Sequence, residues 1–179
     1  MDFLCLDFIN SQWYNNHQLY QELLRNPGWI NDFLTKWKLG NEFNLSEGNI
    51  NQLCKLRAQL TELIEKISSA QVLSPAELDQ INTYLALTKV IPELKYDNIV
   101  YTLELTPLVK DFNWLLAQIV VSFTELLTKY DLARIKICQN PACKWVFYDE
   151  SRNRTRRWCD SSCGNLIKVR RFRARQRNK

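Results

Sequence analysis

Apolar residues recur every three or four positions along much of this chain. The pattern is clearest after Ser46, where it comprises Ile50, Leu53, Leu56, Leu60, Leu63, Ile64 and Ile67. Such spacing predicts an amphipathic α-helix with one side against a core. Residues 106–130 carry a wider apolar face, so we expect them to form the longest helix at the centre of the core. At about 1.5 Å per residue, that helix would span about 35 Å.

Capping signals mark where several of these helices begin. Asn26-Pro27 predicts one start, because the asparagine side chain accepts from unpaired helix amides and proline is tolerated in the first turn. Residues 74–77, Ser-Pro-Ala-Glu, have the form of a capping box and predict a helix to about residue 87. Thr106-Pro107 repeats the cap-then-proline signal at the start of the long helix. A mixed apolar and polar pattern predicts a helical segment over residues 3–13.

The period of the apolar residues changes between residues 89 and 105. Two runs rich in β-forming residues, 90–96 and 99–105, flank the turn pair Asp97-Asn98 and predict one β-hairpin. Pro92 has no backbone N–H to donate, so we expect the first strand at a sheet edge. The chain is therefore predicted to be mainly α with a small β-hairpin.

Charge divides the chain into two unequal parts. Residues 134–179 hold 14 Lys and Arg against 3 Asp and Glu, a net charge of +11, whereas residues 1–133 carry a net charge of −6. The length of 179 residues and the apolar content of 46% suit one well-cored domain with a small appendage. We expect an acidic helical domain at 1–133 and a basic module at 134–179 that meets a polyanion. A solvated basic tail without a specific partner is the alternative.

Four of the six cysteines lie in the basic module as two close pairs, Cys138 with Cys143 and Cys159 with Cys163. Two such pairs supply the four soft ligands of a tetrahedral Zn2+ site. The first residues show no export signal, and no apolar run approaches the ~20 residues of a membrane span, so we expect a cytoplasmic protein. In that reducing compartment such pairs are more often metal ligands than disulfides or redox dithiols, which remain alternatives together with plain buried thiols.

The order of residues in the basic module predicts how the metal site is built. Cys138 and Cys143 form one knuckle, which is followed by a strand at 145–148, a turn, and a second strand at 155–158. Cys159 and Cys163 lie one helical turn apart at the start of a final basic helix. Four cysteines close the coordination sphere, so we expect one structural zinc ion without a catalytic position. No flexible linker precedes Cys138, so we expect the module to be docked on the helical domain.

Basic side chains cluster on both sides of the second cysteine pair. On the final helix Leu166, Val169 and Phe172 form an apolar seam that is expected to pack on the finger. Nine basic residues are expected to contact nucleic acid: Arg152, Arg154, Arg156, Arg157, Lys168, Arg170, Arg171, Arg173 and Arg175. We expect the four that precede Cys159 to contact phosphates. Neutralising roughly six to eight phosphates gives an expected slope of log K against log salt of roughly −5 to −7.

A few residues of the acidic domain also stand out. Asp7 and Asn10 lie among apolar neighbours, and we expect them to cap or hydrogen-bond locally, with ligand recognition as the alternative. Cys5 and Cys54 are solitary and are expected to act as small core hydrophobes. His17 is the only histidine and lies in a polar stretch, so we expect it to be exposed and no His-rich metal site to form.

A dense set of residues accompanies the four cysteines: Phe147, Ser-Arg-Asn at 151–153, Arg-Arg-Trp at 156–158, and Gly164-Asn165 followed by Lys168. This set resembles the CGNR zinc finger, and it implies a treble-clef-like four-cysteine finger. Residues 4–10, Leu-Cys-Leu-Asp-Phe-Ile-Asn, are similar to the opening motif of the ABATE domain, which usually precedes this finger. Two departures occur. Leu166 stands where the family has its namesake arginine, and the second cysteine pair is one residue tighter than usual.

The resemblance implies DNA binding and transcriptional control. We therefore expect a zinc-dependent, DNA-binding transcriptional regulator whose N-terminal domain senses a small-molecule ligand, forms a homodimer, or both. An RNA- or ribosome-binding zinc protein and a protein-interaction module that uses its basic tail are the alternatives. The sequence offers no nucleophile–base pair and no open metal position, so an enzyme is not expected.

Overall fold

Helices form most of the protein, and the computed structural model describes residues 1–12, 21–40 and 43–177. The helices are α1 (Leu4–Ile9), α2 (Pro27–Lys36), α3 (Glu47–Ser68), α4 (Pro75–Leu85), α5 (Phe112–Lys129) and α6 (Ser161–Arg177). The strands are β1 (Val90–Tyr96), β2 (Tyr101–Pro107), β3 (Ile135–Ile137) and β4 (Val146–Tyr148), paired as two antiparallel two-stranded sheets. The prediction of a mainly α protein with a small hairpin is confirmed. His17, which is predicted to be exposed, lies outside the described residues.

Side-chain caps start the helices where the sequence predicts them. The Asn26 side chain accepts hydrogen bonds from the amides of Gly28 and Trp29 at the start of α2. Ser46 caps α3 and Ser74 caps α4, each in a reciprocal capping box with the side chain three residues later. These bonds satisfy amides that the helix itself leaves without a partner, which fixes the first turn.

The predicted start of the long helix at Thr106-Pro107 is wrong. Both residues belong to β2, where Pro107 pairs with Val90 at the open end of the hairpin. Proline is compatible with extended backbone, and at a sheet edge its missing N–H costs no ladder bond. Helix α5 begins five residues later, because the Asp111 carboxylate accepts from the Trp114 amide at 2.9 Å. With 18 residues it spans about 27 Å and is shorter than the 22-residue α3.

The core lies between α1, α3 and α5, and it includes the side chains that are most completely buried. Phe8, Ile64, Ile119 and Phe123 have no exposed surface. Cys5 lies among them as predicted, and burial raises the pKa of its thiol to about 12, so it stays neutral and packs as an apolar group. Among the helices that the structure describes, none combines the length and apolar character that a membrane crossing needs.

A buried ion pair ties the segment before α2 to the middle of α3. The Arg57 guanidinium donates to both carboxylate oxygens of Glu22 and, at 2.8 Å, to the hydroxyl of Ser11. Only 5% of the Arg57 side chain is exposed, so removal of either charge would leave the other without compensation inside the protein. The sequence pattern gives no sign of this pair, because Arg57 occupies a position of α3 between core leucines.

A short two-stranded sheet beside the cysteine-rich region packs against the same core. Strand β3 pairs with β4 in the register Ile135 to Tyr148 and Ile137 to Val146. Ile135 and Val146 are almost fully buried and pack with the side chains of α1, α3 and α5. This short sheet therefore carries the chain out of the helical core and into the cysteine cluster.

Candidate metal centre

The β3–β4 sheet sets the first cysteine pair. Cys138 follows β3 directly, and its amide donates to the Trp145 carbonyl at 2.8 Å. The Cys143 amide donates to the Asn140 carbonyl at 2.9 Å, which closes a tight turn. Lys144 takes a positive φ of 53° after this turn and directs the chain back into β4. The two thiols therefore face the same side of one knuckle.

Helix α6 supplies the second pair. The Asp160 carboxylate accepts from the Cys163 amide at 2.8 Å and starts the helix, so Cys163 lies in its first turn and Cys159 just before it. The sulfur of Cys159 lies 3.6 Å from that of Cys143 and 3.5 Å from that of Cys163. All four cysteine sulfurs lie within 4.8 Å of one another. The structure thus brings together the four residues that the sequence predicts as ligands.

This arrangement fits a tetrahedral metal ion. Thiolates about 2.3 Å from a central zinc in a tetrahedron lie about 3.8 Å from one another. The sulfur of Cys159 lies close to this distance from those of Cys143 and Cys163. No disulfide joins these four cysteines, which all belong to the described part of the chain. Cys138, Cys143 and Cys163 are buried and Cys159 is half-buried, so a bound ion would be shielded from water. Four thiolate donors and a closed geometry are typical of a structural site.

The ionisation of the cluster also favours a cation. The hydrogen bond shared with Cys159 lowers the pKa of Cys143 to about 5, whereas the same bond to Cys143 raises the pKa of Cys159. Burial raises the pKa of Cys163 to about 12. The protein alone therefore stabilises one thiolate at the expense of its neighbours. A divalent cation removes that conflict, because it stabilises all four thiolates together.

A hydrogen bond from Asn140 supports the cysteine cluster. It is fully buried, its amide nitrogen donates to the sulfur of Cys163 at 3.4 Å, and its carbonyl oxygen accepts from the Ala142 amide at 3.2 Å. Such a contact orients a ligand and stabilises its negative charge. Sequence reasoning missed this residue. Its position before Pro141 signals a turn, but nothing in that signal indicates a contact to sulfur.

The loop between the cysteine pairs is held by a buried carboxylate and an arginine. Asp149 accepts from the amides of Ser151 and Arg156, at 2.9 and 3.0 Å. The Arg156 guanidinium donates to the carbonyls of Trp158 and Cys159 and lies 4.8 Å above the Phe147 ring. The predicted second strand at 155–158 is wrong, since these residues form no strand in the described structure and β4 pairs with β3. The hydrogen bonds to Asp149 hold this segment as a loop instead.

Comparison with known families agrees with this geometry. Residues 134–176 match the CGNR zinc finger. Residues 2–130 match the ABATE family, described as "Putative stress-induced transcription regulator". The chain belongs to the ABATE family. No curated protein matches the chain.

All nine basic residues predicted to contact nucleic acid are exposed in this ABATE-family chain. Two of them have partners within the protein: Arg154 pairs with Asp131 at 2.8 Å, and Arg156 makes the carbonyl bonds described above. The prediction that Leu166, Val169 and Phe172 pack on the finger is wrong in part. Leu166 is half-buried, but Val169 is 45% and Phe172 63% exposed, because α6 extends away from the finger after its first turns.

Asn10 connects the ABATE region to the finger. Its side-chain amide donates to the Val146 carbonyl and its oxygen accepts from the Val146 amide, both at 2.8 Å. Asp7 accepts from Lys36 at 2.7 Å and from the Trp37 indole at 2.9 Å. The expectation of local hydrogen bonds is therefore wrong for both residues, since each bonds a distant segment. The Asn10 contact confirms that the finger is docked.

Proposed function

We propose that this protein is a zinc-dependent, DNA-binding transcriptional regulator. One observation carries the proposal: a four-cysteine CGNR finger leads directly into a 17-residue helix whose cations are exposed. The description of the ABATE family supports the regulatory part. The charge of +11 over residues 134–179 supports a polyanionic partner.

The proposed cofactor is one structural Zn2+ ion held by Cys138, Cys143, Cys159 and Cys163. When bound, the ion neutralises thiolate charge and cross-links β3, β4 and the start of α6. Four protein ligands leave no position for water or substrate, so we propose binding and not catalysis as the role of the site. Two further residues hold the ligands in place. Asp160 caps the start of α6 beside the metal site, and Arg156 holds the loop that precedes this helix.

Helix α6 is the proposed DNA-contacting element. Its length of 17 residues corresponds to about 25 Å, and an α-helix fits the major groove of B-form DNA, which is about 12 Å wide. The major groove of duplex RNA is too narrow for side chains on a helix to read it. An exposed basic helix therefore favours duplex DNA over duplex RNA. Arg152 and Arg157, on the loop beside the helix, would hold phosphates and set the orientation.

Duplex DNA binding measured across a salt series tests this proposal. The zinc-loaded full chain is expected to bind with a slope of log K against log salt of roughly −5 to −7. Arg171→Gln with Arg175→Gln should reduce the magnitude of the slope by about 2, because two phosphate contacts are lost. Lys55→Gln with Lys89→Gln removes the same charge from exposed positions of the helical region and should leave the slope unchanged.

Three results would overturn the proposal. Absence of any duplex binding at low salt would remove DNA as the partner. Displacement of DNA by much lower concentrations of RNA would indicate an RNA-binding protein. Capture of an acidic protein with a shallow salt slope, and with no nucleic-acid binding, would indicate a protein-interaction module.

A further inference from the structure

The β1–β2 hairpin has one face made almost wholly of apolar side chains. Directly paired residues share a face in an antiparallel sheet, and the register pairs Val90 with Pro107, Pro92 with Leu105, Leu94 with Leu103, and Tyr96 with Tyr101. The alternate positions form the opposite face, where Lys95 pairs with Glu93 at 3.6 Å and with Glu104 at 2.6 Å. The hairpin is therefore amphipathic, with one charged and one uncharged face.

The uncharged face is open to solvent. Leu94 is 69%, Tyr101 69%, Leu103 71% and Leu105 66% exposed, although these are large apolar residues. Soluble proteins seldom leave a continuous apolar patch of more than a few hundred Å2 uncovered, and an isolated two-stranded hairpin is at best marginally stable in water. A surface of this kind is typical of an interface.

The area and the chemistry of this face match a second copy of the same face. Large apolar and aromatic residues each carry about 200 Å2 of surface, so the exposed parts of Val90, Leu94, Tyr96, Tyr101, Leu103 and Leu105 amount to on the order of 700 Å2. A standard protein interface buries about 800 Å2 per partner. The face holds no charge, so it offers nothing to a phosphate backbone. The opposite, polar face carries two glutamates against one lysine, which disfavours an anionic membrane surface.

We propose that a second copy of this chain covers the apolar face of the hairpin and forms a twofold-symmetric dimer. In such an interface the same patch meets itself, so an uncharged patch needs no complementary charge pattern. Two hairpins would pack face to face with their sheets about 10 Å apart, as in a small β-sandwich. The polar faces with Lys95 would point outward. This proposal does not depend on DNA binding.

Sedimentation equilibrium of the full chain over about 1–200 μM tests the dimer, since an interface of this size gives affinities in the micromolar range or tighter. Wild-type protein is expected to sediment as a dimer. Leu103→Glu should raise the dissociation constant by at least about 100-fold, because symmetry places two unpaired carboxylates in one interface. Leu94→Lys, on the partner strand, should have the same effect.

Thr102→Glu is the matched control. Thr102 neighbours Leu103 in sequence, lies on the polar face opposite Lys95, and gains the same charge, so this variant should remain a dimer. The helical signal in circular dichroism should be the same for all variants, because each changed residue is exposed and lies outside the helices. A wild-type monomer at all concentrations would overturn the proposal, as would a dimer that survives both Leu103→Glu and Leu94→Lys. A monomer that co-sediments with phosphatidylcholine vesicles would also overturn it and would assign the face to lipid.

Discussion

Asn140 is a small residue with a large expected influence on the metal centre. It is buried, and each end of its side-chain amide has a partner: the sulfur of Cys163 in the first turn of α6 and the backbone amide of Ala142 in the knuckle. A hydrogen bond to a ligating thiolate stabilises the charged form that a metal needs. Its loss would leave the Cys163 sulfur without that support and the turn at Ala142 without its side-chain acceptor.

Asn140→Ala is therefore expected to weaken zinc binding by about 10–100-fold, the usual effect of removing such a supporting contact. Titration against a competing chelator of known affinity measures the change. Asn153→Ala, at an exposed position of the same finger, is the control and should bind zinc as the wild type does. Equal zinc affinity of the two variants would show that the Asn140 contact does not support the ligand.

Individual side chains differ in how far the sequence predicts their roles. The four cysteines are predictable because pair spacing alone limits which atoms can meet one ion. Asn140, Asp149 and Arg156 are not predictable, since their partners are backbone atoms and a sulfur that only the folded loop brings near. Composition counts the positive charge of Arg154 and Arg156, but it does not show that each already has a partner within the protein.

Among the elements, the short β3–β4 sheet decides how much of the finger depends on metal. Ile135 and Val146 pack in the helical core, whereas Cys138, Cys143, Cys163 and Phe147 form a separate cluster around the sulfurs. The sheet is therefore supported from both sides. The remainder of the finger has only the small sulfur-centred cluster, which is too small to fold without a cross-link.

Removal of the metal should therefore unfold one part of the finger and leave the other part folded. In Cys159→Ser, or after chelation, backbone amides at 138–145 and in α6 should lose protection from hydrogen exchange, because the metal supplies most of their folding energy. Amides of β4 that bond β3 should stay protected by the core. Cys54→Ser makes the same substitution outside the cluster and should change neither region. Equal loss of protection in β4 and α6 would contradict this division.

Local signals predict the elements well where cap and period agree, as in α2, α3 and α4. They fail at α5, because Thr106-Pro107 has the form of a helix start while its neighbours have the composition of a strand. The pairing of β2 with β1 outweighs that local signal, and Asp111 supplies a second cap further on. The strand expected at 155–158 fails for a similar reason, since β3 is already paired with β4.

At the scale of the whole molecule, Asn10 determines how the helical region and the finger are joined. Its two bonds to Val146 bridge residues 136 positions apart, and both are buried. The sequence predicts two regions of opposite charge and their docking without a linker. It does not predict this joint, because a polar residue in an apolar helix gives no indication of which distant backbone it meets.

Asn10→Ala should lower the stability of the full chain by roughly 1–3 kcal/mol, since it leaves buried backbone groups of Val146 without partners. Chemical denaturation of the zinc-loaded protein measures this loss. Asn44→Ala, at an exposed position, should change stability little. An unchanged unfolding midpoint for Asn10→Ala would mean that other contacts hold the finger in place.

The exposure of α6 has a consequence for how salt acts on the protein. Lys168 with Arg171, Arg171 with Arg175, and Arg173 with Arg177 are like charges one turn apart, and each such pair destabilises an uncomplexed helix. Dissolved ions screen this repulsion, so the unbound helix becomes more stable as ionic strength rises. The same ions weaken attraction to a polyanion. Salt therefore has two separate effects on α6: it stabilises the unbound helix, and it weakens binding of the helix to DNA.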